Sequence, residues 1–233
     1  MLKLILNVVL ALLILGCKDK HNGSVPLFQK ILDQSPSIQG KTEYLQSPFV
    51  TAGDRLYMVG HQDGSFPEMG WHITGEMGGI WNHPIKLMDG IEFDLVWPDD
   101  TLSLTQAHSF VNYPMANQHL FSFVPKGLEV ERWQFVPDGL EGMLVQLVIK
   151  NQADTRQEFI LNFKGDVDLR PTWLGERTGM EDRPDTIFYN QELQAWEGND
   201  SSNPWHVVYG GGPDVQSYRA LSLIHISEPT RHI

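Results

Sequence analysis

Short apolar runs separated by turn residues are the feature of this sequence that most limits its fold. They recur from about Tyr44 to Tyr218, and no stretch there keeps a long helical apolar pattern. Apolar and polar residues alternate most clearly from Leu128 to Phe135. This spacing predicts an all-β fold, an antiparallel β-sandwich. The predicted strands are 55–60, 91–97, 119–124, 128–136, 143–150, 158–164, 186–191 and 206–209.

Turn residues lie between several of these strands. Segments 125–127 (Pro-Lys-Gly), 137–139 (Pro-Asp-Gly) and 151–154 (Asn-Gln-Ala-Asp) have the composition of hairpin connections. The strands at 143–150 and 158–164 are apolar on both faces, which favours neighbouring central strands.

Composition sets limits on partners and cofactors. The 233 residues are 41% hydrophobic, enough for a sizeable core and too apolar for a disordered chain. The net charge of −12 argues against a nucleic-acid partner. A single cysteine, Cys17, excludes internal disulfides and a cysteine-rich metal site. Gly78-Gly79 lacks the Lys-Ser/Thr of a phosphate loop, and we expect no cofactor.

The amino terminus has the pattern of an export signal. Lys3 precedes an apolar run at 4–15, too short to span a bilayer comfortably. The run ends in Ile-Leu-Gly-Cys, which resembles the lipobox of bacterial lipoproteins. We therefore expect a signal peptide at 1–16, lipidation of Cys17 and a polar tether at 17–40. The alternative is a buried first helix. The signal implies a membrane-anchored lipoprotein of the bacterial cell envelope, on the periplasmic face or the outer membrane surface.

The carboxyl terminus differs in character from the rest. Residues 221–231 (LSLIHISEPTR) resemble the translation of a transposase-type sequencing adapter. We therefore expect a non-native tail at 221–233, a β-sandwich domain at 41–220, and a longer natural protein. The alternative is an ordinary carboxyl-terminal segment.

Residues 61–89 hold the candidate chemistry. This glycine-rich, irregular segment is costly to order unless it packs or binds something. Aromatic rings beside carboxyl and amide groups suit carbohydrate, whose C–H faces stack on rings while its hydroxyls need polar partners. The candidate substrate-binding residues are Gln62, Asp63, Trp71, His72, Glu76 and Trp81.

Simpler roles for these residues stay open. Tryptophans such as Trp71 and Trp81 are more often core anchors than sugar platforms, and Asp63-Gly64 is a strong turn signal. The histidines of this segment are eleven residues apart, without the short separations of zinc motifs, so we expect no metal site. In a second polar cluster at 166–183, Asp168 and Arg170 are expected to form an ion pair.

Several motifs of the segment together resemble a known family. Residues 57–67, 70–72, 75–81 and 83–87 look like the N-terminal domain of six-hairpin glycosidases, often labelled glycogen-debranching or amylo-α-1,6-glucosidase-like. Glu141-Gly142-Met143 and 165–171 are similar too, so the resemblance covers about 45–218. It implies a galactose-mutarotase-like supersandwich followed by an (α/α)6 barrel, a domain partner absent from this chain. The catalytic carboxylates would lie on that barrel.

Three functions follow as hypotheses. The first is the non-catalytic domain of a lipid-anchored glycoside hydrolase that contacts an oligo- or polysaccharide. The second is a surface-anchored carbohydrate-binding sandwich without catalysis. The third is a structural role in an envelope assembly, with the acidic surface serving solubility.

Overall fold

The computed structural model describes residues 25–71 and 73–211. Within these residues the helices are short: α1 (Leu27–Leu32), α2 (Trp173–Glu176) and two 3₁₀ turns, Thr42–Tyr44 and Val124–Lys126. The strands, in chain order, are β1 (Ile38–Gln39), β2 (Pro48–Ala52), β3 (Tyr57–His61), β4 (Gly79–Asn82), β5 (Ile85–Val96), β6 (Thr101–Ser103), β7 (Ser109–Tyr113), β8 (Ala116–Phe123), β9 (Leu128–Phe135), β10 (Leu144–Asn151), β11 (Ile160–Pro171), β12 (Asp185–Asn190), β13 (Ala195–Asp200) and β14 (His206–Tyr209).

The strands form three antiparallel sheets. The first has the order β1-β7-β8-β9-β10, and the second β11-β5-β4-β3-β2, with β6 paired to β5. A third, smaller sheet has the order β12-β13-β14. The all-β, sandwich-like fold that the sequence predicts is confirmed at this level.

The main core draws side chains from all three sheets. Met58, Leu95, Phe121, Val130 and Leu169 are each fully buried in it. At about 25 cal/mol per Å² of apolar surface, burial of such side chains is the main term that stabilises the sandwich.

Every predicted strand overlaps an observed one, but one predicted pairing is wrong. Pro-Lys-Gly 125–127 and Pro-Asp-Gly 137–139 do connect strands that pair as hairpins. Segment 151–154 does not, because β10 pairs with β9 while β11 pairs with β5 in the other sheet. β10 and β11 are therefore edge strands of different sheets, not neighbouring central strands.

The end of the predicted tether is part of the fold. Phe28 and Leu32 on α1 are buried against Trp133 and Ala116, on the outer face of the first sheet. Strand β1 extends that sheet by pairing with β7. Helix α1 packs there because the outer face of β8 and β9 carries the apolar side chains of Ala116 and Trp133, which Phe28 and Leu32 cover.

Within residues 25–71 and 73–211, no helix is long and apolar enough to cross a bilayer. The predicted signal peptide at 1–16, Cys17 and the predicted tail at 221–233 lie outside the described residues.

Candidate functional site

The loop between β3 and β4, which we call the 62–78 loop, begins with a tight turn. The Asp63 carboxylate accepts hydrogen bonds from the Ser65 backbone N–H at 2.9 Å and from the Ser65 hydroxyl at 2.6 Å. Gly64 has φ +93°, a left-handed conformation that glycine adopts without strain. The predicted Asp-Gly turn is confirmed, and it gives Asp63 a structural role.

A buried arginine on β9 holds this turn from inside the sandwich. Arg132 is fully buried and donates hydrogen bonds to the carbonyl oxygens of Gly64 at 2.7 Å and Leu104 at 3.1 Å. Its guanidinium also lies over the Phe121 ring, 5.5 Å from the centroid. Burial lowers the pKa of Arg132 to about 9, while Asp63 raises it, so the group stays charged at neutral pH.

Two side chains hold the other end of the loop. Lys86 on β5 donates a hydrogen bond to the Gly75 carbonyl at 2.8 Å, and the Trp81 indole N–H donates to the Gly78 carbonyl at 2.9 Å. Trp81 is 3% exposed and lies parallel to the Tyr57 ring, with 6.3 Å between centroids. Trp81 is thus a core and anchoring residue, with no ring face open to a ligand.

Lys86 is also the centre of a charged cluster. Its ammonium forms ion pairs with Asp89 and with Asp168, the latter at 3.2 Å, and Arg170 contacts Asp168 at 2.9 Å. The predicted Asp168–Arg170 pair is confirmed. Burial and the Asp89 charge raise the pKa of Asp168, whereas Lys86 and Arg170 lower it.

Between these anchors the loop forms one wall of an open groove, which we call the Trp71 groove. Its volume is about 440 Å³. The Trp71 side chain is 87% exposed. Beside it lie the polar side chains of His61 and Glu68, and the remaining lining residues are Pro48, Val59, Pro67, Met69, Gly70 and Met77.

The other predicted site residues that the structure describes are not among the residues that line the groove. Gln62 points toward Gly40, and its backbone N–H donates to Ser47. Glu76 is half-buried within the loop, near Gly70. His72 lies outside the described residues. Of the five predicted residues that the structure describes, only Trp71 lines the groove.

Sequence reasoning missed His61 and Glu68 as groove residues. His61 is the last residue of β3 and Glu68 is exposed in the loop. A signal was present, since both belong to the same polar and aromatic segment as Trp71. Among residues 25–71 and 73–211, no group of three acidic, histidine or cysteine side chains is placed to hold a metal ion.

Asp185, near this charged cluster, gives the fold a predicted pH dependence. It accepts a hydrogen bond from the Leu169 N–H at 2.9 Å and lies opposite Asp200 in the β12–β13 pair. Burial raises the pKa of Asp185 to about 6 from the usual 3.8, with further increases from the charges of Asp168, Asp182 and Asp200. Folding therefore favours the protonated form, and its stabilisation is lost as pH rises through about 6.

Replacing Asp185 with asparagine is expected to raise the free energy of unfolding by about 1–3 kcal/mol at neutral pH. The amide keeps an oxygen for the Leu169 N–H but carries no charge. Below about pH 4 the two proteins should be equally stable. Urea unfolding across this pH range measures the difference, with Asp138→Asn, an exposed position, as control. Equal pH slopes for Asp185→Asn and the original chain would contradict the assignment.

No protein-family model, curated protein or solved structure matches the chain. Function is therefore inferred from the residues of the Trp71 groove and its anchors.

Proposed function

We propose that this chain is the non-catalytic β-sandwich domain of a lipid-anchored glycoside hydrolase of the six-hairpin type, and that the Trp71 groove contacts the saccharide. The observation that carries this proposal is the Trp71 ring, exposed on a loop that is anchored at both ends. An exposed indole is costly to present to water, and the C–H face of a sugar ring covers it well.

The groove is suited to binding and not to glycoside cleavage. Glycoside hydrolysis by the usual route needs two carboxyl groups on opposite sides of the scissile bond. Among the described residues that line the groove, Glu68 is the single acid. We place the catalytic pair on an (α/α)6 barrel that follows a galactose-mutarotase-like sandwich, with Cys17 as the lipid anchor. Helical hairpins with inward-facing carboxylates, encoded downstream in the genome, would support this arrangement.

A carbohydrate-binding sandwich without an associated barrel is the second candidate. It is favoured by the openness of the groove to solvent, since a glycan could reach Trp71 without a second domain. A genomic continuation without helical hairpins would favour this candidate over the first.

Replacing Trp71 with alanine is expected to weaken glycan binding by about tenfold or more, because the stacking surface is lost. The measurement is calorimetric titration of the full chain against a panel of α-glucan and plant-glycan oligosaccharides. Trp173→Ala is the matched control, since Trp173 is 46% exposed on α2, outside the groove. Unchanged binding by Trp71→Ala, or loss with Trp173→Ala instead, would contradict the proposed site. Absence of binding to every glycan would contradict the function.

A further inference from the structure

We infer that the Trp71 groove selects glycans made of neutral sugars and discriminates against uronic-acid glycans. The inference rests on the proposed function and adds the substrate class. It is carried by the charges around the groove and by the way the nearby cations are paired.

Glu68 places negative charge at the groove. Its side chain is exposed, and among the residues that the structure describes no lysine or arginine lines the groove with it. A sugar carboxylate stacked on Trp71 would meet this charge without a cation to offset it. Proteins that recognise carboxylates usually supply an arginine or lysine for that purpose.

The cations closest to the loop are already paired. Lys86 is 1% exposed and bonded to two carboxylates and the Gly75 carbonyl. Arg132 is fully buried against backbone carbonyls, and Arg170 is bound to Asp168. Each of these cations is already bound to protein groups, and none of them is among the described residues that line the groove.

The charge of the whole chain adds to this repulsion. The chain as a whole carries a net charge of −12, which repels polyanions at longer range. Neutral hexoses avoid both effects and keep the stacking contact with Trp71 and the hydrogen bonds available from His61 and Glu68.

The test compares neutral and acidic oligosaccharides of equal length on the full chain. Maltopentaose and cellopentaose are the neutral probes, and pentagalacturonate and pentamannuronate the acidic ones. We expect the better neutral probe to bind at least about tenfold more tightly at about 0.01 M salt, with a smaller gap at about 0.3 M. Uronate binding equal to or tighter than neutral binding overturns the inference and leaves the proposed function standing. If none of these four oligosaccharides and no member of the α-glucan and plant-glycan panel binds, both the proposed function and this inference are contradicted.

A charge variant separates electrostatics from shape. Glu68→Gln should raise the affinity for pentagalacturonate relative to the neutral probe by about three- to tenfold. Glu141→Gln, at an exposed position between β9 and β10, should leave the ratio unchanged. A ratio that does not move with Glu68→Gln, or that moves equally with Glu141→Gln, overturns the role of Glu68.

Discussion

Replacing Arg132 with methionine is expected to lower the free energy of unfolding by about 3–5 kcal/mol, the largest effect among the substitutions considered. The methionine fills part of the volume but donates no hydrogen bonds. The Gly64 and Leu104 carbonyls would lose buried donors, at about 1–3 kcal/mol each. Loss of the contact with the Phe121 ring adds to this. Denaturant unfolding at neutral pH measures the change.

Arg156→Met is the matched control for Arg132→Met. The Arg156 guanidinium is 86% exposed and contacts the exposed Glu158, so its loss should cost less than about 0.5 kcal/mol. Arg132→Met should also speed amide hydrogen exchange in the 62–78 loop, because the Gly64 turn would lose its anchor. A loss of stability below about 1 kcal/mol would show that the buried guanidinium is dispensable.

Replacing Lys86 with methionine is expected to cost about 3 kcal/mol, because Asp168 and Asp89 would lose their shared buried cation. Arg170 still contacts Asp168, which keeps the cost at the lower end for a broken buried pair. Removal of Lys86 also removes a charge that lowers the pKa of Asp168. The pKa of Asp168 should rise further, so the stability difference should shrink as pH falls and Asp168 becomes protonated.

Lys164→Met tests whether burial is the reason for the Lys86 effect. Lys164 also has two acidic partners, Glu92 and Asp166, but its side chain is 34% exposed. Lys164→Met should therefore lower the free energy of unfolding by less than about 1 kcal/mol. Combining Lys86→Met with Asp168→Asn should recover part of the loss, since a neutral amide replaces one of the two carboxylates that lose the Lys86 cation. Equal losses for Lys86→Met and Lys164→Met would contradict the role assigned to the buried cluster.

Local signals in the sequence predicted eight of the fourteen strands in the described residues and two of the three hairpin connections. The strands that were not predicted are β1, β2, β4, β6, β7 and β13. The alternation from Leu128 to Phe135 and the Pro-containing turns around it depend only on nearby residues, and the structure confirms these strands as β8, β9 and β10. Such local signals could not predict that β10 and β11 belong to different sheets. Both segments are apolar enough to be central strands, and their separation into two sheets is decided by contacts far along the chain, such as Phe93 with Phe163.

The site was predicted less well, again because contacts between residues far apart in the chain decide which side chains are exposed. Trp71 and Trp81 are identical residues ten positions apart in one segment, yet one is exposed and the other is buried. Trp81 is buried because strand β4 places it beside Tyr57 and Lys86, which no local pattern indicates. The Lys86–Asp168 pair joins β5 to β11 across 82 positions, whereas the local Asp168–Arg170 pair was predicted.

The anchors of the 62–78 loop have a consequence for engineering. Arg132, Lys86 and Trp81 all bind main-chain carbonyl oxygens of glycines, at positions 64, 75 and 78. A hydrogen bond to a carbonyl makes no demand on the side chain of the residue that provides it. Gly70 must be kept as well, because a Cβ there would lie 1.8 Å from the Ile73 carbonyl oxygen. The exposed positions Glu68, Trp71, Ile73 and Thr74 can be randomised as a library while these four glycines are kept, and new specificities can be selected on the same scaffold.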